Sequence, residues 1–242
     1  MLVGTTSGSA LDHAQRLFKD TFGCGLTLRD AGTVAVQHAE GVEPPLALSD
    51  LRPAAFVPGL ATAEVAWMSD AASRNYLGNE FLLWLWFVLE VEGDTLTLPD
   101  DSEVTVMLAR TLVLECPRGL SGNETIRSDG PTKLPEARRA IQAGKLPRQA
   151  GLILVRHDQQ YELTLQAETL AVSGAKLPKV EDGEARVKLE DRAGQLRHLI
   201  ETVDLLYAAF LQRRLGADWA KELERMQKWL QREQRGRLAA TA

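Results

Sequence analysis

The residues of this 242-residue chain that could do chemistry are few and scattered. A loop that cradles phosphate needs glycines at fixed spacing and a lysine, set between a strand and a helix. Gly4-Thr5-Thr6-Ser7-Gly8-Ser9 stands at such a junction but has no lysine and the wrong glycine spacing, so it reads as a tight turn with Ser9 capping the following helix. His13, His38, His157 and His198 lie at no metal-ligand spacing from one another or from a cysteine, and read as surface or half-buried imidazoles. Cys24 and Cys116 fit neither a metal knuckle nor a disulfide framework, and read as buried thiols in a reducing compartment. Glu80 and Glu90 are ten residues apart and Glu92 lies at a helix end, so the three read as solvated charges and not as a metal-holding carboxylate cluster. No G-x-S-x-G nucleophile elbow is present. The expectation is therefore a protein without catalytic residues, metal, cofactor or small-molecule substrate, and not an enzyme.

Sequence-independent DNA binding asks only for Lys and Arg held where they neutralise phosphates. The net charge of -5 argues against a protein that is basic all over, but the charge is unevenly spread. From Ser121 to Lys179, nine Lys or Arg stand against six acids, a net of +3, which leaves the rest of the chain at -8. The candidate DNA-binding residues are Arg127, Lys133, Arg138, Arg139, Lys145 and Arg148. Arg138 and Arg139 are neighbours on a short helix, Lys133 precedes it and Lys145 lies at its end; a solvated charged face is the competing reading. A second basic group, Arg225, Lys228, Arg232, Arg235 and Arg237, is interleaved with Glu222, Glu224 and Glu233. Positive charge toward a helix C-terminus is what the helix dipole favours, so this group is not included in the site.

The elements that would carry these residues follow from periodicity. Met1–Thr5 reads as a strand and Ser9–Phe22 as an amphipathic helix with Leu11, Leu17, Phe18 and Phe22 toward the core. Leu26–Leu28 can start another strand, and Asp30–Pro58, rich in Ala, Gly and Pro, reads as a long loop or insertion. Ser69–Glu90 is the strongest helix, capped by Asp70 or Ser73 and apolar all round, the spine of the core. Thr95–Leu98, a Pro99-Asp100-Asp101 turn and Val104–Met107 form a hairpin, which Thr111–Cys116 continues. A helix around Leu134, Ala137 and Ile141 stops at Gly144-Lys145 and feeds a strand ladder to Pro178 with a turn at Asp158-Gln159-Gln160. After a charged linker at Val180–Glu184, Ala185–Arg214 is a long amphipathic helix interrupted by Gly216, and Asp218 to about Arg235 is the last. The fold class is α+β: a mixed, mainly antiparallel sheet with a long central helix and a helical C-terminal region. The chain divides at 1–118 and 119–242, or runs as one continuous domain.

The order E-T-I-R, then A-I-Q-A-G-K, L-I-L-V-R, Y-E-L-T-L and K-L-P, with L-G-N-E-F-L-L-W-L-W upstream, resembles the RdgC family of bacterial recombination-associated DNA-binding proteins. Val3–Ser7 and Leu17–Gly23 look like the strand and helix midway through a full-length member. The resemblance covers nearly all of this chain but only the later part of the family, whose N-terminal part is expected to be missing. It implies a protein that binds double-stranded DNA, with single-stranded DNA as a further candidate, and restrains RecA-driven recombination; family protomers pair into a homodimeric ring with a basic inner wall. The loop after the I-R pair is basic in the family, whereas here Ser128–Lys133 carries less positive charge and an acid, Asp129.

No secretory signal is visible, and the most apolar run, Phe81–Val88, is far short of the ~20 residues a bilayer helix needs. A cytoplasmic, nucleoid-associated protein without membrane contact is expected. The alternative is a truncated or degenerate relative acting as a protein-interaction module through the Ala185–Leu230 helices, whose apolar face is wide.

Overall fold

The computed structural model describes residues 3–5, 7–41, 48, 51–59, 73–117, 121–179 and 184–232. Within them six helices and a six-stranded antiparallel sheet form the α+β architecture expected from the sequence. Strands β1 (Thr95–Thr97), β2 (Glu103–Glu115), β3 (Glu124–Ser128), β4 (Leu146–Arg156), β5 (Gln159–Gln166) and β6 (Val172–Lys176) lie in the order β1-β2-β4-β5-β6. The long β2 takes β4 along one side, while the other side is shared between β1, at Thr105↔Thr95, and β3, at Leu112↔Ile126. The two stretches expected as Val104–Met107 and Thr111–Cys116 are thus one strand with a bulge near Arg110, whose φ is 69°. Residues on either side of position 118 pair within this sheet and contribute to one hydrophobic cluster that includes Ala31 and Leu230.

Alternation sorts the sheet into two faces. Val104, Val106, Leu108, Leu112, Leu114, Ile126, Leu152, Leu154, Tyr161, Leu163 and Leu165 are buried against the helices. Thr105, Met107, Arg127, Ile153, Val155 and Thr164 face outward and are half-buried or exposed.

The core is built around α3 (Tyr76–Val91), with every residue from Tyr76 to Val88 buried. Its run of Phe, Leu and Trp removes apolar surface on all sides, at about 1.5–3 kcal/mol for each large side chain. Gly78 lets α3 press onto the sheet: a Cβ there would sit 1.8 Å from the Ala167 carbonyl oxygen. Glu80 is buried, contrary to the sequence reading, whereas Glu90 is exposed as that reading had it, yet engaged on its inner side. Glu80 is 1 % exposed and accepts hydrogen bonds from Arg214 Nε at 2.6 Å and the Ala54 amide at 2.6 Å. Glu90 accepts from Trp86 Nε1 at 2.6 Å, Trp229 Nε1 at 2.8 Å and Arg138 at 2.5 Å. Glu92 pairs with Arg225 at 2.8 Å and Arg213 at 3.7 Å.

Two further expectations fail on the N-terminal side. The stretch read as a loop from Asp30 contains α2 (Ala31–Glu40), opened by a capping box between Asp30 and Thr33 and packed on α3. Its row of small residues replaces a conventional apolar stripe: Ala31, Ala35 and Ala39 are buried, and a Cβ on Gly32 would lie 1.6 Å from the Ser73 carbonyl oxygen. Helix α1 (Gly8–Phe22) forms where its periodicity placed it, yet none of its residues is buried; Leu17 is 60 % and Phe22 65 % exposed. Residues 3–5 and 26–28 form no strand, and Met1 and Leu2 lie outside the described residues, as do Asp70 and most of the linker at 180–184.

Helix α4 (Pro135–Gln142), preceded by a 3-10 turn at Pro131–Lys133, packs on β2 and on α6 (Trp219–Gln231). Helix α5 (Ala185–Leu215) buries Leu199, Val203, Leu206, Tyr207, Phe210 and Leu211, while Val187, Leu189 and Leu196 in its leading half are exposed.

Removing one member of the Glu80–Arg214 pair strands the other in an apolar interior. Arg214→Ala is expected to lower stability by about 3–5 kcal/mol in urea denaturation. The double change E80M/R214M, which leaves no unpaired charge, is expected to cost much less than the two single changes summed.

Candidate nucleic-acid interface

The six basic residues singled out from the sequence divide into two groups of three. Arg138, Lys145 and Arg148 are engaged within the fold; Arg127, Lys133 and Arg139 project outward.

Arg138 is 7 % exposed and cannot face a phosphate, so its place in the expected site is corrected here. The α4 turn that buries Ala137, Ala140 and Ile141 carries Arg138 inward with them, where it donates to Glu90 at 2.5 Å and to the Trp229 carbonyl at 2.7 Å. Its guanidinium also lies over the Trp229 ring, 4.6 Å from the centroid. It therefore fastens α4 to α3 and α6. Lys145 follows the left-handed Gly144 and has a side chain only 14 % exposed, paired with Glu124 on β3 at 3.1 Å. Arg148 bridges Glu115 at 2.8 Å and Glu168 at 2.9 Å. Burial alone would pull the Arg148 guanidinium down, but the hydrogen bonds and charges of Glu115 and Glu168 outweigh it and its pKa is raised. Glu168 in turn accepts from Asn79 at 2.8 Å, so Arg148 belongs to the joint between sheet and α3.

Arg127 follows the buried Ile126 on β3 and so points to the outward face of the sheet. Arg139 sits on the outer side of α4, next to the inward Arg138, and Lys133 is exposed at the end of the 3-10 turn. Among the described residues neither Arg127 nor Arg139 has an ion-pair partner. The outward face adds two cations that the sequence reading left out of the site. Arg110 lies beside Arg127 through the register Thr111↔Arg127, and Lys176 lies on β6. Arg110 meets Asp129 at 3.3 Å and Glu162 at 4.0 Å, while Lys176 meets Glu162 at 2.8 Å. These are exposed pairs of the kind worth ~0–1 kcal/mol, so either cation can turn to another anion at little cost. Strand register across β2, β3, β5 and β6 groups these residues, which no local spacing in the sequence reveals.

The C-terminal basic group is largely spent on acids of its own region. Arg225 pairs with Glu222 at 2.7 Å and with Glu92, and Lys228 with Glu224 at 2.6 Å. Arg235 and Arg237 lie outside the described residues.

Among the described residues no group of three or more His, Cys, Asp or Glu converges as a metal site, and no helix is long and apolar enough to cross a membrane. Cys116 is buried as expected, but Cys24 is exposed. Two histidines read as isolated do meet: His157 Nδ1 is 3.3 Å from His198 Nε2. No protein-family model, curated protein or solved structure matches this chain.

Arg138→Ala is expected to destabilise the protein by on the order of 2 kcal/mol, leaving Glu90 short of a donor, whereas Arg139→Ala stays within about 0.5 kcal/mol of the parent. Thermal and urea unfolding of the two variants check this. A pH dependence also follows. Burial lowers the His38 pKa; burial, Arg156 and His157 together lower that of His198 against the opposing charge of Glu201. With each folded pKa below the ordinary 6.5, the unfolded chain takes up these protons first as pH falls through that value. Their contribution is complete above that pH and is lost progressively below it, down to the folded values. Urea midpoints should fall between pH 7.5 and 5, and less steeply in His38→Gln.

Proposed function

We propose that this chain is a non-catalytic, sequence-independent DNA-binding protein of the RdgC type, associated with the nucleoid and with restraint of recombination. The reading rests first on the ordered resemblance from Glu124 to Pro178 and on L-G-N-E-F-L-L-W-L-W. The observation that carries the site is the exposure of Arg127, Lys133 and Arg139 while their basic neighbours are turned inward. Counterion release at phosphates asks for such outward cations and for no catalytic group. Arg110 and Lys176 extend the positive character of the sheet's outer face, and the hydroxyls of Thr105, Thr111 and Thr164 there are of the type that positions a backbone without reading bases. Double-stranded DNA is the preferred ligand of this reading, and pairing into a homodimer is part of it.

A second reading, a protein-interaction module, draws support from the leading half of α5. Most of the apolar face of α5 and α6 is spent on the core, but Leu189 is 70 % and Leu196 37 % exposed, beyond the part that the core covers. A mass that rises with concentration, together with no affinity for DNA, would favour it.

Anisotropy of a labelled random duplex, titrated across salt concentrations, tests the first reading. Saturable binding is expected, with log affinity falling linearly with log salt. The R127A/K133A/R139A variant should bind more weakly, and its salt slope should be shallower by about 2–3 if each cation neutralises one phosphate. Absence of binding at low salt would overturn the reading.

A further inference from the structure

The hairpin between β4 and β5 turns through His157 and Asp158, both left-handed at φ 49° and 60°, with Arg156 paired to Gln159 across the turn. A two-residue turn of this kind usually takes Asn or Gly, because a side chain strains it. Here it presents an imidazole to α5. His157 Nδ1 stands 3.3 Å from Nε2 of His198, across a sequence separation of 41. The other nitrogen of His198, Nδ1, is 2.8 Å from the Tyr161 hydroxyl, and that hydroxyl donates its proton to Gln159 Oε1. A phenol has one proton to give, so His198 Nδ1 must itself carry a hydrogen and donate to the Tyr161 oxygen. The Nε2 lone pair is consequently free of a proton and directed at His157. The Tyr161 ring is fully buried, so the relay that fixes this tautomer is anchored in the core.

We propose that His157 Nδ1 and His198 Nε2 form a two-point chelate for a divalent transition-metal ion of the zinc, nickel or copper class, bracing α5 against the β4–β5 hairpin. Two nitrogens at the usual ~2.0–2.1 Å from one tetrahedral ion lie roughly 3.3–3.4 Å apart, whereas a good N–H hydrogen bond is typically about 2.9–3.0 Å long. The observed separation suits ligation better than a direct bond. A ligating histidine normally donates its second nitrogen to a fixed acceptor, which is the role of Tyr161. Arg156 is adjacent and its charge is felt at His198, but its pairing with Asp100 at 2.5 Å and with Glu201 at 3.7 Å partly offsets it. Glu201, three positions beyond His198 on α5, is paired with Arg156 and does not join the two histidines as a third ligand, so water would fill the remaining positions. Imidazole donors favour these ions over magnesium or calcium. With two protein ligands in place of four, the ion would exchange with solvent and act as a conditional brace, not as a closed structural centre.

The test is calorimetric titration of untagged, chelator-stripped protein with Ni²⁺ and with Zn²⁺, alongside His157→Gly, His198→Gln and Tyr161→Phe. Glycine accepts the left-handed turn, so H157G removes the ligand while retaining the hairpin; metal-free melting curves confirm that each variant is folded. One equivalent is expected to bind the parent and raise its melting temperature. H157G and H198Q should each lose the binding, and Y161F should weaken it roughly tenfold. Binding of equal affinity in the parent and H157G, or no saturable binding by the parent, would overturn the proposal.

Discussion

A helix that is buried on every side must find an internal partner for each polar side chain it carries, because an unpaired polar group in such surroundings costs far more than a hydrogen bond returns. Helix α3 answers this with Asn79 and Glu80 inside its buried run, and Glu90, exposed in its last turn, adds a third direction. Asn79 donates to Glu168 and to the Pro147 carbonyl, fixing the helix to the sheet. Glu80 holds Arg214 of α5 and the Ala54 amide, and Glu90 gathers Arg138, Trp86 and Trp229, drawing α4 and α6 inward. Buried ion pairs of this type add little net stability over a well-packed apolar core, but breaking one is costly, and they fix which element meets which.

That constraint also decides where positive charge is available. Arg138 and Arg148 are drawn toward the carboxylates that serve the α3 joints, and Lys145 is paired beside β3, so much of the segment's excess of basic residues stays inside the architecture. Arg127, Lys133 and Arg139 are exposed, and Arg110 and Lys176 stand in exchangeable surface pairs. Adjacent residues on one short helix thus have opposite duties: Arg138 holds the fold, and Arg139 is left to the solvent side, where an anionic partner can reach it. Net charge per segment, the quantity most easily read from a sequence, does not separate the two.

Features that depend on local pattern were legible in the sequence. The continuous apolar run of α3, the hairpin around Pro99-Asp100-Asp101, the ladder after Gly144 and the break at Gly216 all stand where periodicity and turn residues placed them. Helix α2 was missed because its packing face is made mostly of Ala and Gly, with Val34 as its one larger apolar residue, and so carries little hydrophobic signal; the Asp30–Thr33 capping box was the available clue. The apolar stripe of α1 and the leading turns of α5 predicted burial that the described chain does not provide. The burial of Glu80 and Arg138 was not legible, since their partners lie from 26 to 134 positions away. The same holds for His157 and His198, brought together only by the packing of a hairpin turn against α5.

The division of the arginines into an inward and an outward set is the claim on which the functional account turns. It is tested most directly by modifying the protein with an arginine-selective dicarbonyl and following each site by mass spectrometry, with and without a random DNA duplex. Arg127 and Arg139 should react readily in the free protein and be protected by the duplex, while Arg138 and Arg148 should react slowly in both. Arg138 reacting as fast as Arg139, or a duplex that protects neither outward residue, would contradict the account.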